Sequence, residues 1–290
     1  MSTGSAAAGG PAPEQRHGIR ILSIWAVLTV IAVPIVIWVV GPHIPPYSGS
    51  VQSHDQHKIN ILLTAIAIPV ALLVWVYLLY SAAVFRQRGQ QIVDGPPVTG
   101  GPQVAITWLA VTSVMVLALA VVGTTELFGG SHGSGGGQGP TPLAKPSRAA
   151  SALQVQVIGQ QWLWAFRYPG YGGVETPTLV VPVNTQIAFH VTSLDVAHSF
   201  WAYELGVKAD AIPGNDNVAY VEPTKLESFQ IRCAELCGLW HGHMNTTGQV
   251  VSKAGFAAWI ALQRVRYRGV TKDLPAYRPY YYPDPQRRAG

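Results

Sequence analysis

Charged residues are scarce in this chain. Asp, Glu, Lys and Arg make up 11% of its 290 residues, against roughly 25% in an average soluble domain. Hydrophobic residues make up 49%. That balance suits a membrane protein with room for one sizeable domain outside the bilayer. Sulfur is scarcer still, with two cysteines and three methionines, so at most one disulfide can form. No Cys-x-x-Cys-His is present, which excludes a covalently attached haem domain. The one dense glycine run, residues 133–139, is not followed by Lys-Ser or Lys-Thr, so it is no phosphate loop. The basic residues form no aromatic-interleaved patch, so nucleic acid is not an expected partner. No internal repeat is found.

What the chain has instead is three long uncharged runs, at about 21–40, 59–85 and 103–125. About 20 apolar helical residues span the ~30 Å hydrocarbon layer, so each run is long enough to cross. None shows the polar face of a soluble core helix. Arg16 and Arg20 before the first run would also suit a signal peptide. Its apolar stretch is long for that, and "GPHIPPYSGS" behind it offers no small-x-small cleavage site, which favours an uncleaved helix or signal anchor. Arg86 and Arg88 follow the second run, whereas the loop after the first carries only Asp55 and Lys58. Basic loops stay inside. The expected topology is a disordered cytoplasmic N-terminus over 1–20, a membrane region over 21–128, and everything later on the external side of a prokaryotic plasma membrane.

Residues 129–140, "GGSHGSGGGQGP", contain seven glycines and read, with the residues to 150, as a flexible linker. A coil over 129–150 would span roughly 25 Å and could not orient the domain behind it. From residue 153 the pattern switches to period two, in "LQVQVI", "TQIAFHVT", "NVAYVE" and "LESFQIR", with Pro-Gly punctuation. This predicts an external antiparallel β-sandwich or barrel over 151–264. "KAGFAAWIALQR" reads as a closing helix, and 265–290 as an extended basic tail. From Ser151 to Trp259 there are five basic and eight acidic residues; from Ile260 on there are seven basic and two acidic. The tail, with "RVRYRG", suits docking to a partner subunit or anionic lipid as well as plain solvation.

"CAELCGLWHGHM", residues 233–244, gathers both cysteines, two histidines and one methionine. Three readings fit. Cys233 and Cys237 could form a disulfide, since an external compartment is oxidising. Cys237, His241 and Met244, with a histidine from an earlier strand, could hold one copper of blue type. Or both thiolates could bridge two coppers, each with one terminal histidine; a single-copper site has no use for the second cysteine. Zinc fits poorly, because its structural sites want four strong ligands. The missing histidine is expected at His198 in "SLDVAHSFW", with Asp195 three residues earlier to orient it.

These motifs resemble subunit II of the haem–copper cytochrome c oxidases. "CAELCGLWHGHM" carries the family pattern Cys-x-Glu-x-Cys-Gly-x-x-His-x-x-Met at every specified position. "DVAHSFW", "LGVKADAIPG" and the tryptophan-rich "QQWLWAFRYP" carry the rest, and the likeness runs from about residue 50 to 262. The resemblance implies a cupredoxin-like domain with a binuclear copper A centre: Cys233 and Cys237 as bridging thiolates, His198 and His241 as terminal imidazoles, Met244 and the Glu235 carbonyl as axial ligands. It further implies magnesium on the Glu235 side chain at the border with subunit I, and Trp162 where an electron arrives from cytochrome c. The implied partners are the haem-bearing subunit I, subunit III, cytochrome c and membrane lipid. The implied complex reduces oxygen and pumps protons, although this chain holds no haem. A nitric oxide reductase of the same class, or a membrane-tethered copper carrier, are the alternative settings. The departures are a third, preceding helix, Ala105 where the family has a glutamate on a proton-uptake path, Gln160 for a histidine and Tyr203 for a proline. His43, His54, His57, His132, His190 and His243 are given no ligand role.

Overall fold

The computed structural model describes residues 13–45, 49–86 and 100–269. The chain divides into two units, Met1–Ile44 with Lys58–Gly100, and Pro45–His57 with Gly101–Gly290. Among the described residues, three helices are long and apolar enough to cross a membrane. The first, α1 (Pro13–Ile35), runs on through a π-helical turn and a short 3-10 turn to His43. It therefore begins within the stretch expected to be disordered; residues 1–12 lie outside the described residues. Against it, in the same unit, the indole N–H of Trp25 donates to the Pro69 carbonyl at 2.8 Å, and His17 Nδ1 lies 2.8 Å from the Tyr80 hydroxyl.

Helix α2 (Val51–Val84) has 34 residues, about 51 Å at 1.5 Å per residue, more than the bilayer needs. It starts eight residues before the expected run because its polar first turns are held by side chains. Ser50 Oγ donates to the Leu205 carbonyl at 2.6 Å, Gln52 Nε2 to that of His132 at 2.9 Å and Gln56 Nε2 to that of Gly206 at 2.7 Å. Helix α3 (Pro102–Gly129) is apolar all round with no buried residue. Most of the basic loop expected over 86–101 lies outside the described residues.

Among the described residues ten strands follow: β1 (Leu153–Gln160), β2 (Leu163–Tyr168), β3 (Val174–Thr176), β4 (Val180–Pro182), β5 (Ile187–Ser193), β6 (His198–Ala202), β7 (Val207–Ala211), β8 (Asn217–Val221), β9 (Glu227–Cys233) and β10 (Asn245–Val251); α4 (Lys253–Arg266) comes after them. They form two five-stranded sheets, ordered β3-β2-β1-β5-β8 and β4-β10-β9-β6-β7. Most pairings are antiparallel, as the alternation predicts, but β1 with β5 and β10 with β4 are parallel. Period two reports only which face is buried, so it carries no information on strand direction. Between the sheets Phe200 meets Trp164, Phe166 and Phe189 at ring-centroid distances of 5.7, 6.4 and 5.4 Å, each pair adding about 0.5–1.5 kcal/mol beyond area burial. Helix α4 is capped by Ser252, whose hydroxyl accepts the Gly255 N–H at 3.0 Å, and buries Phe256, Ile260 and Gln263 at helical spacing. Phe256 and Trp259 pack on the buried ring of Tyr168.

The glycine-rich stretch is packed, not free. The N–H groups of Tyr220 and Lys208 donate to the carbonyls of Ser134 and Gly135 at 2.8 and 3.0 Å, and Val218 N–H to that of Gly139 at 3.1 Å. Strands β7 and β8 are edges of different sheets, so one segment covers two edges that would otherwise be open. Only glycine permits that approach: a Cβ at 135 would collide with the Gly206 carbonyl, and one at 137 would lie 2.6 Å from the Asn217 amide. The tail's first residues, Arg264 and Arg266, are the last turn of α4, and the tail beyond Gly269 lies outside the described residues.

Candidate metal centre

Strand β6 begins at His198 and β9 ends at Cys233; the strands pair, with Phe200 opposite Cys233. The chain then loops from Ala234 to Met244 before β10. Backbone bonds close this loop: Cys233 N–H to the Met244 carbonyl at 3.0 Å, Ala234 N–H to that of Ser199 at 2.9 Å and His241 N–H to that of Gly238 at 3.1 Å. Two antiparallel strands, β9 and β10, thus carry the feet of the loop.

The side chains expected to act together do converge. The Sγ atoms of Cys233 and Cys237 are 3.7 Å apart. A disulfide needs about 2.05 Å, and both cysteines are free. Each sulfur faces one imidazole: Cys233 Sγ is 3.8 Å from His198 Nδ1, and Cys237 Sγ is 3.5 Å from His241 Nδ1. Each also has one weak donor beside it, the Glu235 carbonyl oxygen 3.2 Å from Cys233 Sγ and Met244 Sδ 3.8 Å from Cys237 Sγ. The ligand atoms of His198, Cys233 and Cys237 all lie within 4.8 Å of one another. Met244 is 1% exposed and Cys237 4%, while His241 is half-buried and Glu235 exposed.

His198 is fully buried, and its Nε2–H donates to Asp195 Oδ1 at 2.9 Å. A carboxylate only accepts, so Nε2 carries the proton and Nδ1 is left for a metal. Asp195 is itself held by the N–H groups of Gln161 and Val196, each at 2.6 Å. Burial opposes its charge, but these bonds and the His198 ring outweigh it and keep the carboxyl below its ordinary range. Burial likewise pushes His198 down, and its contacts with Cys233 and Asp195 reverse this and raise it. Burial also opposes the Cys233 thiolate, yet His198, the Ser199 and Glu235 backbone and His241 bring that thiol down to about 6. Cys237 goes the other way, up to about 12, through burial and the neighbouring Cys233 thiolate. Thiolate, imidazole and thioether in one buried cluster is a soft donor set, which fits copper and not a hard cation.

The two tryptophans of β2 and its approach separate. Trp164 is 3% exposed and packs edge-on to His198, at 6.0 Å between centroids. Trp162 is half-buried, and its indole N–H donates to the Cys237 carbonyl at 3.2 Å. His243 is exposed and leans on Trp240. His190 bridges Asp216 and Gln154 on the other sheet. Gln161 joins the site without any signal in the residue pattern: its side chain donates to the Cys237 carbonyl at 2.9 Å.

Fold and cluster together define a two-sheet β-sandwich with a site of copper type at one end, in a chain that also carries helices long and apolar enough to span a membrane. Residues 174–251 match the family described as "Cytochrome C oxidase subunit II, periplasmic domain". Over 132 residues the chain is 36% identical to "Probable cytochrome c oxidase subunit 2" of Rickettsia prowazekii, covering 38% of this chain and 42% of that protein. Over 274 residues it is 27% identical to "Cytochrome c oxidase subunit 2" of Synechocystis, covering 83% of this chain and 81% of that one. The crystal structure of the periplasmic domain of subunit II of cytochrome oxidase of Bradyrhizobium japonicum is also similar, at 33% identity and a TM-score of 0.39, over 40% of this chain and 96% of that one. The chain thus carries a domain of the cytochrome c oxidase subunit II periplasmic type, and a relative it resembles over most of its length is a cytochrome c oxidase subunit 2.

Proposed function

We propose that this chain is the electron-accepting subunit of a haem–copper cytochrome c oxidase, with a binuclear copper centre held by Cys233, Cys237, His198, His241, Met244 and the Glu235 carbonyl. The observation that carries the reading is the paired arrangement itself: two unbonded sulfurs 3.7 Å apart, each with one imidazole and one weaker donor. A mononuclear site of one thiolate and two imidazoles would leave one sulfur and one weak donor unused. When bound, the copper pair supplies a one-electron relay in which the charge is shared, so little rearrangement accompanies each transfer.

The protein's part is to hold that donor set still. Asp195 fixes the tautomer of His198, backbone bonds hold the loop that carries the sulfurs, and burial of Cys237 and Met244 excludes water. A copper carrier needs exchangeable ligands, whereas His198, Met244 and Cys237 are all almost wholly buried. Trp162 is half-buried and its indole N–H reaches the Cys237 carbonyl, which supports it as the residue that receives an electron from cytochrome c. The exposed Glu235 carboxylate is free to take magnesium at a border with subunit I. Subunits I and III and lipid are the expected neighbours, oxygen the terminal acceptor, and the sandwich lies on the periplasmic side of a prokaryotic plasma membrane.

The full chain, purified in detergent, reduced and loaded with copper, tests this. Two coppers per chain and a seven-line hyperfine pattern in the partly oxidised state are expected. One blue copper, or a Cys233–Cys237 disulfide in the working protein, overturns the reading. Trp162→Phe should leave the spectrum unchanged while slowing electron acceptance from reduced cytochrome c.

A further inference from the structure

The copper-binding side chains come from two places, the start of β6 with the Asp195 turn before it, and the 233–244 loop. The short connection from β1 to β2 reaches both. Gln161 lies in it and makes two bonds in two directions. Its backbone N–H donates to Asp195 Oδ2 at 2.6 Å, and Asp195 Oδ1 holds His198. Its side-chain N–H donates to the Cys237 carbonyl at 2.9 Å. The peptide that receives this bond leads into Gly238, whose φ is +114°. A Cβ at 238 would stand 3.0 Å from Gln161 Nε2, so the glycine is what lets the amide come close.

We propose that Gln161 is a positioning residue of the copper site: one residue that fixes the Cys237 peptide against the Asp195–His198 pair, and so sets the separation between the two halves of the donor set. The proposal rests on the two-copper reading above. Its physical basis is that the spacing of two metal ions, as well as the ligands on each, governs how evenly charge is shared between them. Gln161 contacts no ligand atom and acts only through Asp195 and the Cys237 peptide. Trp162 donates to the same carbonyl, but at 3.2 Å, and has no link to Asp195. Gln161 is exposed, so replacing its side chain opens no hole in the core.

The test uses the full copper-loaded chain in detergent with Gln161→Met, which keeps the length and removes the donor, and Gln161→Glu, which sets a carboxylate oxygen against the Cys237 carbonyl. Gln249→Met, an exposed position on β10, is the control. We expect both Gln161 variants to bind two coppers and to show an altered hyperfine pattern, with Glu the larger change. In the Glu variant the reduced-to-oxidised ratio at a fixed potential should change about tenfold, a midpoint shift of about 59 mV for one electron. In the metal-free chain, hydrogen exchange over 233–244 should quicken in both variants and not in the control. Unchanged hyperfine pattern, midpoint and exchange in both variants overturn the proposal. A wild-type chain that binds no copper pair sinks the two-copper reading instead, and the metal-free exchange still decides whether Gln161 holds the loop.

Discussion

At the scale of single residues the donor set was legible because its chemistry sits in consecutive residue types. Cys233, Glu235, Cys237, His241 and Met244 fall within twelve positions, and a loop that short must bring them near one another. His198 was legible for a different reason: the donor set lacks one histidine, and "SLDVAHSFW" supplies one on an alternating strand able to pack against the loop, with Asp195 three residues before it to orient the ring. Gln161 was not legible. Its bond to Cys237 crosses 76 positions, and glutamine at a turn ordinarily means solvent. Asp195→Ala tests how much orientation matters. His198 is fully buried, so the change strands its Nε2–H without an acceptor, at about 1–3 kcal/mol. Copper affinity should fall about 10- to 100-fold, as when other partners of metal-bound histidines are lost. Competition with a chelator of known affinity measures this. An unchanged affinity would mean that the sheet alone orients the ring.

At the scale of elements, hydrophobic period located the strands, since "LESFQIR" buries alternate residues in β9 as its pattern requires. It missed the role of the glycine-rich stretch, because the partners of a segment without side chains are backbone groups that no residue type announces. A fragment starting at residue 151 should therefore be less stable than one starting at 131. It loses the bonds to Lys208, Val218 and Tyr220 and bares two sheet edges. Thermal unfolding of the two fragments decides it, and equal midpoints would return the stretch to the status of a tether. The contact between the inner strands β9 and β10 is as strict. A Cβ at Gly248 would enter the Phe229 ring, which is fully buried. Gly248→Ala should destabilise the domain by about 1–3 kcal/mol, the usual range for overpacking, read as a fall in the denaturation midpoint at unchanged slope.

At the scale of the whole molecule, two features would compete to govern association with the proposed electron donor. The sandwich carries more acid than base, five basic against eight acidic residues over Ser151 to Trp259, which would steer a basic cytochrome. The surface beside the copper loop is instead apolar: Leu236 is 79% exposed, Leu239 84% and Trp240 50%. The two act on different rates. Long-range charge raises the encounter rate and is screened beyond about 8 Å at physiological ionic strength. Short-range apolar contact slows dissociation, and full burial of one leucine is worth about 1.5–3 kcal/mol, or roughly a tenfold to hundredfold change in Kd. Stopped-flow mixing of the loaded chain with reduced cytochrome c should thus show an association rate that falls as salt is added, with little change in dissociation. Leu239→Ser should do the reverse, speeding dissociation and sparing the salt slope. If Leu239→Ser leaves both rates alone while salt still acts, the donor docks away from the loop, and Trp162 loses its place as the point where electrons arrive.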